Sequence, residues 1–287
     1  MSTSVETRAP GAATMPPATE PRRARIAAYG LWQLRDYLMD RGTPTFIVAM
    51  LFGYLTLMPM LLRHEAPVSQ EVVARFGSET AARAAMLGQL HYGFLRTFLG
   101  TLVFLGALFA MNGIVANDRK LGFYRFLFAK PVTPARYYGQ AFLIHWVAFL
   151  GVMALLGVIY GAAVGAVLSW PLMAVVALMF LCYSGIAFLL SAAARWDWLS
   201  LVAVSVLSTF AWGKFGGSTH PLAGLLYLLP PLHRTDEVYA SVSGVHLLAA
   251  GAPLALPWPL MWWLAGYGAT SFLLGLLVLR HRRLAIV

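Results

Sequence analysis

At 287 residues the chain is 60% hydrophobic and only 11% charged, where a water-soluble globular protein carries roughly 25% charged residues. One or two soluble cores cannot hide charge-free stretches as long as those found here, so an ordinary soluble domain is excluded and the bilayer is the expected solvent for most of the chain. The net charge of +10 does not point to nucleic acid, because the basic residues flank apolar runs instead of forming one patch.

Residues 1–23 are expected to form a disordered cytoplasmic tail, since the start of the chain is rich in Ala, Pro, Thr and Ser and has no apolar core like that of a signal peptide. Residues 24–287 read as one membrane domain. Between Ala24 and Gly42 the apolar Ile26, Tyr29, Leu34, Tyr37 and Leu38 alternate with Arg and Asp, which predicts an amphipathic helix lying in the interface. The intervals between charges then set the spans. Gly42–Leu62 and Thr97–Asn117 hold 21 uncharged residues each, enough for one crossing of roughly 20 residues. Between them, Ser69 and Ser78 can each cap a helix, with Glu71 and Glu79 in the first turn. A helix from Ser78 is expected to run on into the second span.

The 58 residues from Tyr137 to Ala194 are too many for one crossing, and Ser169-Trp170-Pro171 divides them into two spans with a tight hairpin. Trp198–Gly213 has 16 residues and is extended by Lys214, whose ammonium can snorkel to the headgroups. Pro253, Pro257 and Pro259 confine the last helix to the second half of Val238–Leu279. The expected architecture is an all-α integral membrane protein with six spans at about 43–62, 97–117, 137–164, 172–194, 198–214 and 260–279. Of the 21 Lys and Arg residues, fifteen fall in the two termini and the loops on their side, so the positive-inside bias puts both termini in the cytoplasm of a bacterial-type inner membrane.

Little in the spans can do chemistry. They hold no Asp or Glu, which argues against an intramembrane enzyme. No P-loop sequence occurs, no H-E-x-x-H and no C-x-x-C, so neither nucleotide nor metal chemistry is expected of this chain, nor any cofactor. His145 is expected to be a packed, hydrogen-bonding residue, and Arg96 to snorkel to the outer headgroups or line a polar pathway. Cys182 is a packing residue. Trp258, Trp262 and Trp263 fit an outer aromatic belt. Pro221–His233 is apolar but too short and too broken by proline to span.

The most informative piece is the loop from Asn117 to Gln140. Of the nine residues between Lys120 and Lys130, seven are aliphatic or aromatic, an unusual density for a connection facing water. An aromatic helix interrupted by positive charge and ended by Lys130-Pro131 suits either a groove on a partner protein or a surface of anionic lipid.

In this loop, with Asp118, Gly122, the hydrophobic Phe123–Phe128, Lys130, Pro131-Val132 and Arg136 in order, the chain resembles the permease subunits of type-2 ATP-binding-cassette exporters. The resemblance extends to the amphipathic entry helix, the six spans and the apolar non-spanning piece before the last. It departs from the common pattern at Lys120-Leu121, where a Glu is frequent. The resemblance implies a cytoplasmic coupling helix made of Leu121, Gly122, Phe123, Tyr124, Arg125, Phe126, Leu127 and Phe128. It implies two copies of a separate ATPase subunit as partners, a second permease copy or homologue, and lipids. The alternative is a non-transporting membrane anchor or assembly factor that recruits a cytoplasmic protein.

Overall fold

The computed structural model describes residues 22–64, 67–111, 114–115, 118, 122, 133–164, 170–193, 198–217, 221–247 and 256–281. Among them the secondary structure is helical throughout, with no strand. In chain order the α-helices are α1 Arg22–Tyr37, α2 Thr43–His64, α3 Gln70–Phe76, α4 Glu79–Phe94, α5 Gly100–Met111, α6 Pro134–Val164, α7 Trp170–Ala193, α8 Trp198–Phe215, α9 Thr235–Leu247 and α10 Trp258–His281. Among the described residues, three stretches are long and apolar enough to cross a membrane: Pro134–Ala162, Trp170–Ala193 and Trp258–His281. Two shorter apolar ones are Arg96–Met111 and Ser200–Phe215.

Prolines begin several of these helices. Pro134, Pro171 and Pro259 each stand in a first turn, where the missing N–H has no intrahelical partner to lose. Thr133 caps α6, its Oγ1 accepting from the Arg136 amide at 3.4 Å. Ser78 caps α4, its Oγ accepting from the Ala81 amide at 3.2 Å. Ser69 stands at the N-cap of α3 but makes no side-chain cap bond. Its carbonyl accepts from Val72 and Val73 instead. Gly77 ends α3 at φ +79°, a left-handed conformation that glycine adopts without steric cost.

Two π-turns punctuate the bundle. Leu38–Gly42 joins α1 to α2 without a break, and Leu95–Leu99 joins α4 to α5. The run from Glu79 to Met111 is therefore one continuous helix, as the Ser78 signal predicts. At 1.5 Å per residue it is about 50 Å long, well beyond a hydrocarbon core of roughly 30 Å. Its final turn ends at Met111, and Ile114 follows in a turn whose amide reaches the Met111 carbonyl.

The bundle is organised around α7, whose buried residues include Val176, Met179, Phe180, Ser184 and Phe188. Helix α10 lies against α7 with backbones nearly touching. A Cβ on Gly185 would stand 2.2 Å from the Gly268 carbonyl oxygen, and one on Gly268 would stand 2.7 Å from Cys182 Cα. Gly275 leaves the same kind of space for the Phe188 ring. This is the small-residue packing that holds helices together where water cannot be expelled to drive association. Around it, Phe149 stacks on Phe180 at 4.2 Å and fills the space over Gly106. On α2, Tyr160 fills the space over Gly53 while its hydroxyl donates to the Ala49 carbonyl at 2.9 Å.

A side chain at position 268 must push two backbones apart. Gly268→Leu is expected to lower unfolding stability by about 3 kcal/mol, while Gly266→Ala, with open space around it, changes it by less than about 0.5 kcal/mol. Unfolding midpoints of the two variants in one detergent would check the contrast.

Candidate functional site

Of the residues that carry the resemblance to a coupling loop, Asp118, Gly122 and Arg136 fall within the described residues. Leu121 and Phe123–Phe128, with Lys130 and Pro131-Val132, lie outside them. Gly122 adopts φ +71°, a turn conformation that suits glycine. What the structure does describe is the set of residues that flank this loop in the chain and in space.

They include a buried polar knot shared by α1, the first π-turn, α5 and α6. The amphipathic period of α1 turns Gln33, Leu34 and Tyr37 inward, while Leu31, Trp32 and Arg35 are exposed. One turn further on, the π-turn carries Arg41 under the end of α5. There Nη1 of Arg41 donates to the Ala110 carbonyl and, at 3.4 Å, to the Phe109 carbonyl. Both carbonyls belong to the last turn of α5, at the negative end of the helix dipole, where a cation is favoured. From α6, His145 places Nδ1 3.0 Å from the same Ala110 oxygen. Since a carbonyl can only accept, Nδ1 carries the hydrogen. The imidazole also lies 4.7 Å from the Tyr37 ring. His145 is thus the packed, hydrogen-bonded histidine expected of it.

The loop is pinned at both roots. Asp118, before it, accepts a 2.9 Å hydrogen bond from the hydroxyl of Tyr138, after it. Val115, at the near root, donates its amide to Ser191 Oγ of α7 at 3.3 Å. Burial pushes the Asp118 carboxyl above its usual range, opposed by the Tyr138 hydrogen bond and the Arg41 charge. Burial likewise lowers Arg41 below its ordinary value, opposed by Asp36, Tyr37, Asp118 and Asp40. Two hydrogen-bonding atoms on the inner face of α1, Gln33 Oε1 and Tyr37 Oη, are buried without a partner among the described residues. The knot contains no nucleophile–base pair, and no cluster of three potential metal ligands occurs among the described residues. Its hydrogen bonds tie α1 and the first π-turn to α5 and α6.

The other polar grouping lies towards the opposite end of the Glu79–Met111 helix. Arg96, in the second π-turn, pairs with Asp236 at the start of α9, 2.8 Å apart and about half exposed. Half-exposed, Arg96 has a protein partner that the sequence did not indicate. Arg234 and Glu237 form a second, two-pronged pair at 2.7 Å, which raises the arginine and lowers the carboxyl from their ordinary values. Pro221–Leu228 is a 3-10 helix, and Tyr267 Oη donates to the Leu228 carbonyl at 3.0 Å. Helix α9 is absent from the sequence-based expectation, although Thr235 followed by Asp236 and Glu237 is an N-terminal signal that could have found it.

No family model matches this chain, and neither a curated protein nor a solved structure matches it.

The raised Asp118 carboxyl has a definite consequence. The native state binds the proton more tightly than the unfolded chain, so stability is greatest below the unfolded-state value and declines as pH rises through the higher native value. Asp118→Asn, which still accepts from Tyr138, should gain on the parent chain in unfolding midpoint as pH is raised from acid to neutral. Tyr138→Phe should cost about 1 kcal/mol at neutral pH.

Proposed function

We propose that this chain is the permease subunit of an ATP-driven exporter of the type-2 ATP-binding-cassette class, with six spans, both termini in the cytoplasm and a coupling helix at Leu121–Phe128. In this reading α2, the Thr97–Met111 part of the long helix and α8 join α6, α7 and α10 as spans. ATP hydrolysis belongs to two copies of a partner ATPase, and a second permease copy completes the path. The chain itself needs no cofactor.

The observation that carries the reading is the base of the loop. An aromatic, basic segment that only lay on lipid would need no rigid footing. Here Asp118–Tyr138 and Val115–Ser191 tie its roots to α6 and α7, and Arg41 ties α1 to the helix that leads into it. A push on the loop therefore biases the packing of the whole bundle, which is what an ATPase must do to exchange inward-open for outward-open states.

Phe126→Asp and Tyr124→Asp test the assignment, because a carboxylate is not tolerated in an apolar groove. At unchanged expression, both variants should lose co-purification with the ATPase and most of the transport-linked hydrolysis. Parental values for both quantities would overturn the coupling role. Intact co-purification with a parental chain that never alters ATP turnover would instead favour the anchor reading.

A further inference from the structure

Helix α8 is apolar on the wrong side for a helix whose polar groups merely face water. Ser205, Ser208 and Trp212, spaced by three and four residues, share one face with the fully buried Leu201. Val206, Leu207 and Phe210, each about 60% exposed, occupy the other. The polar face is turned inward, towards the segment 221–234 and the start of α10. Ser208 Oγ donates to the Pro230 carbonyl at 2.6 Å, the Trp212 ring stacks on His233 at 4.2 Å, and Tyr227 and Trp263 meet the same indole edge-on.

Across this seam three hydrogen-bonding atoms are buried with no partner among the described residues: Ser205 Oγ, Trp212 Nε1 and His233 Nδ1. Buried polar atoms are almost always satisfied by protein or water. Three orphans on the two walls of one seam therefore favour a state in which the walls part and something polar enters. Ser205 lies ten residues inside Phe215, roughly 15 Å from that end of the helix at 1.5 Å per residue, so the entering material would reach well into the bundle.

We propose that this inward face of α8, from Trp212 and His233 down to Ser205, is a wetted wall of the transport path, bonding the neutral oxygen groups (hydroxyl, carbonyl or ether) of a passing solute. The proposal rests on the exporter reading for the word transport, but the wetting of the seam can be measured without any ATPase. Indole N–H, serine hydroxyl and imidazole supply neutral donors, and no acidic or basic side chain of α8 lies on this face, since Lys214 is exposed on the opposite one beside Phe210 and Phe215.

Because Cys182 is the single cysteine and is fully buried, the full chain can be labelled at one chosen position after Cys182→Ala. Ser205→Cys is nearly isosteric and should react with a charged, membrane-impermeant methanethiosulfonate within about tenfold of the rate at the exposed Gln70→Cys. Val206→Cys, on the lipid-facing side, should stay unreacted. Unreactive Ser205→Cys beside a reactive Gln70→Cys would overturn the proposal, and so would equal reaction at Val206→Cys and Ser205→Cys. Either result leaves the ATPase-coupling test of Phe126→Asp untouched, so the two readings fail separately.

Discussion

The contact between Gly185 and Gly268 is the constraint from which the rest of this bundle follows. In lipid there is no water to expel between apolar helices, so association depends on close fit and on the few polar groups that find each other. Two glycines facing one another let α7 and α10 approach until backbone meets backbone. With α10 held so close, α7 becomes the axis of the structure, and α5, α6 and α8 are disposed around it. Aromatic rings then fill the gaps this leaves, Phe149 over Gly106 and Phe188 over Gly275, so that small residues on one helix are matched by large ones on the next.

Against that apolar background, each of the two described π-turns carries an arginine with a long-range partner. A π-turn inserts one extra residue, which widens the helix and leaves its carbonyls to find other partners. In the first, Thr43 Oγ1 bonds the Leu38 carbonyl at 2.8 Å and Thr45 Oγ1 bonds the Arg41 carbonyl at 2.7 Å. The threonines thus hold open the irregular turn that aims Arg41 at the end of α5. The second π-turn carries Arg96 towards Asp236. That pair is half exposed and contributes at most about 1 kcal/mol. Arg41 is another matter: largely removed from solvent and donating to two last-turn carbonyls of α5, it is left a buried, unpaired cation if those carbonyls withdraw.

Much of this was legible in the sequence, and the reasons divide cleanly. Charge-free intervals located α2, α6, α7, α8 and α10 to within a few residues, because the cost of a charge in hydrocarbon is the strongest local signal a chain can carry. Ser78 announced the long helix by its cap. Thr133-Pro134 announced the start of α6 three residues earlier than the charge of Arg136 suggested, a cap signal overshadowed by the arginine. Helix α9 straddles the start of a charge-free interval whose first half was denied a helix because of its prolines, yet those prolines lie beyond its end. The polar knot could not be read at all: Gln33, Arg41, Asp118, Tyr138 and His145 come from four separate stretches, and no spacing rule links them. Only the packing of α1 on α6 brings them to one place.

The two ends of the bundle hold their polar groups in different settings. At the loop end guanidinium and imidazole meet on Ala110, phenol on Asp118 and amide on Ser191, while Gln33 Oε1 and Tyr37 Oη are buried without a partner among the described residues. At the other end the ion pairs are solvent-exposed and weak, and three buried atoms across the α8 seam lack partners. Hydrogen bonds left unmade raise the energy of the closed form relative to any form that hydrates it. The loop end is thus tied across α1, α5, α6 and α7 by hydrogen bonds, whereas the other end is held by half-exposed ion pairs that contribute little.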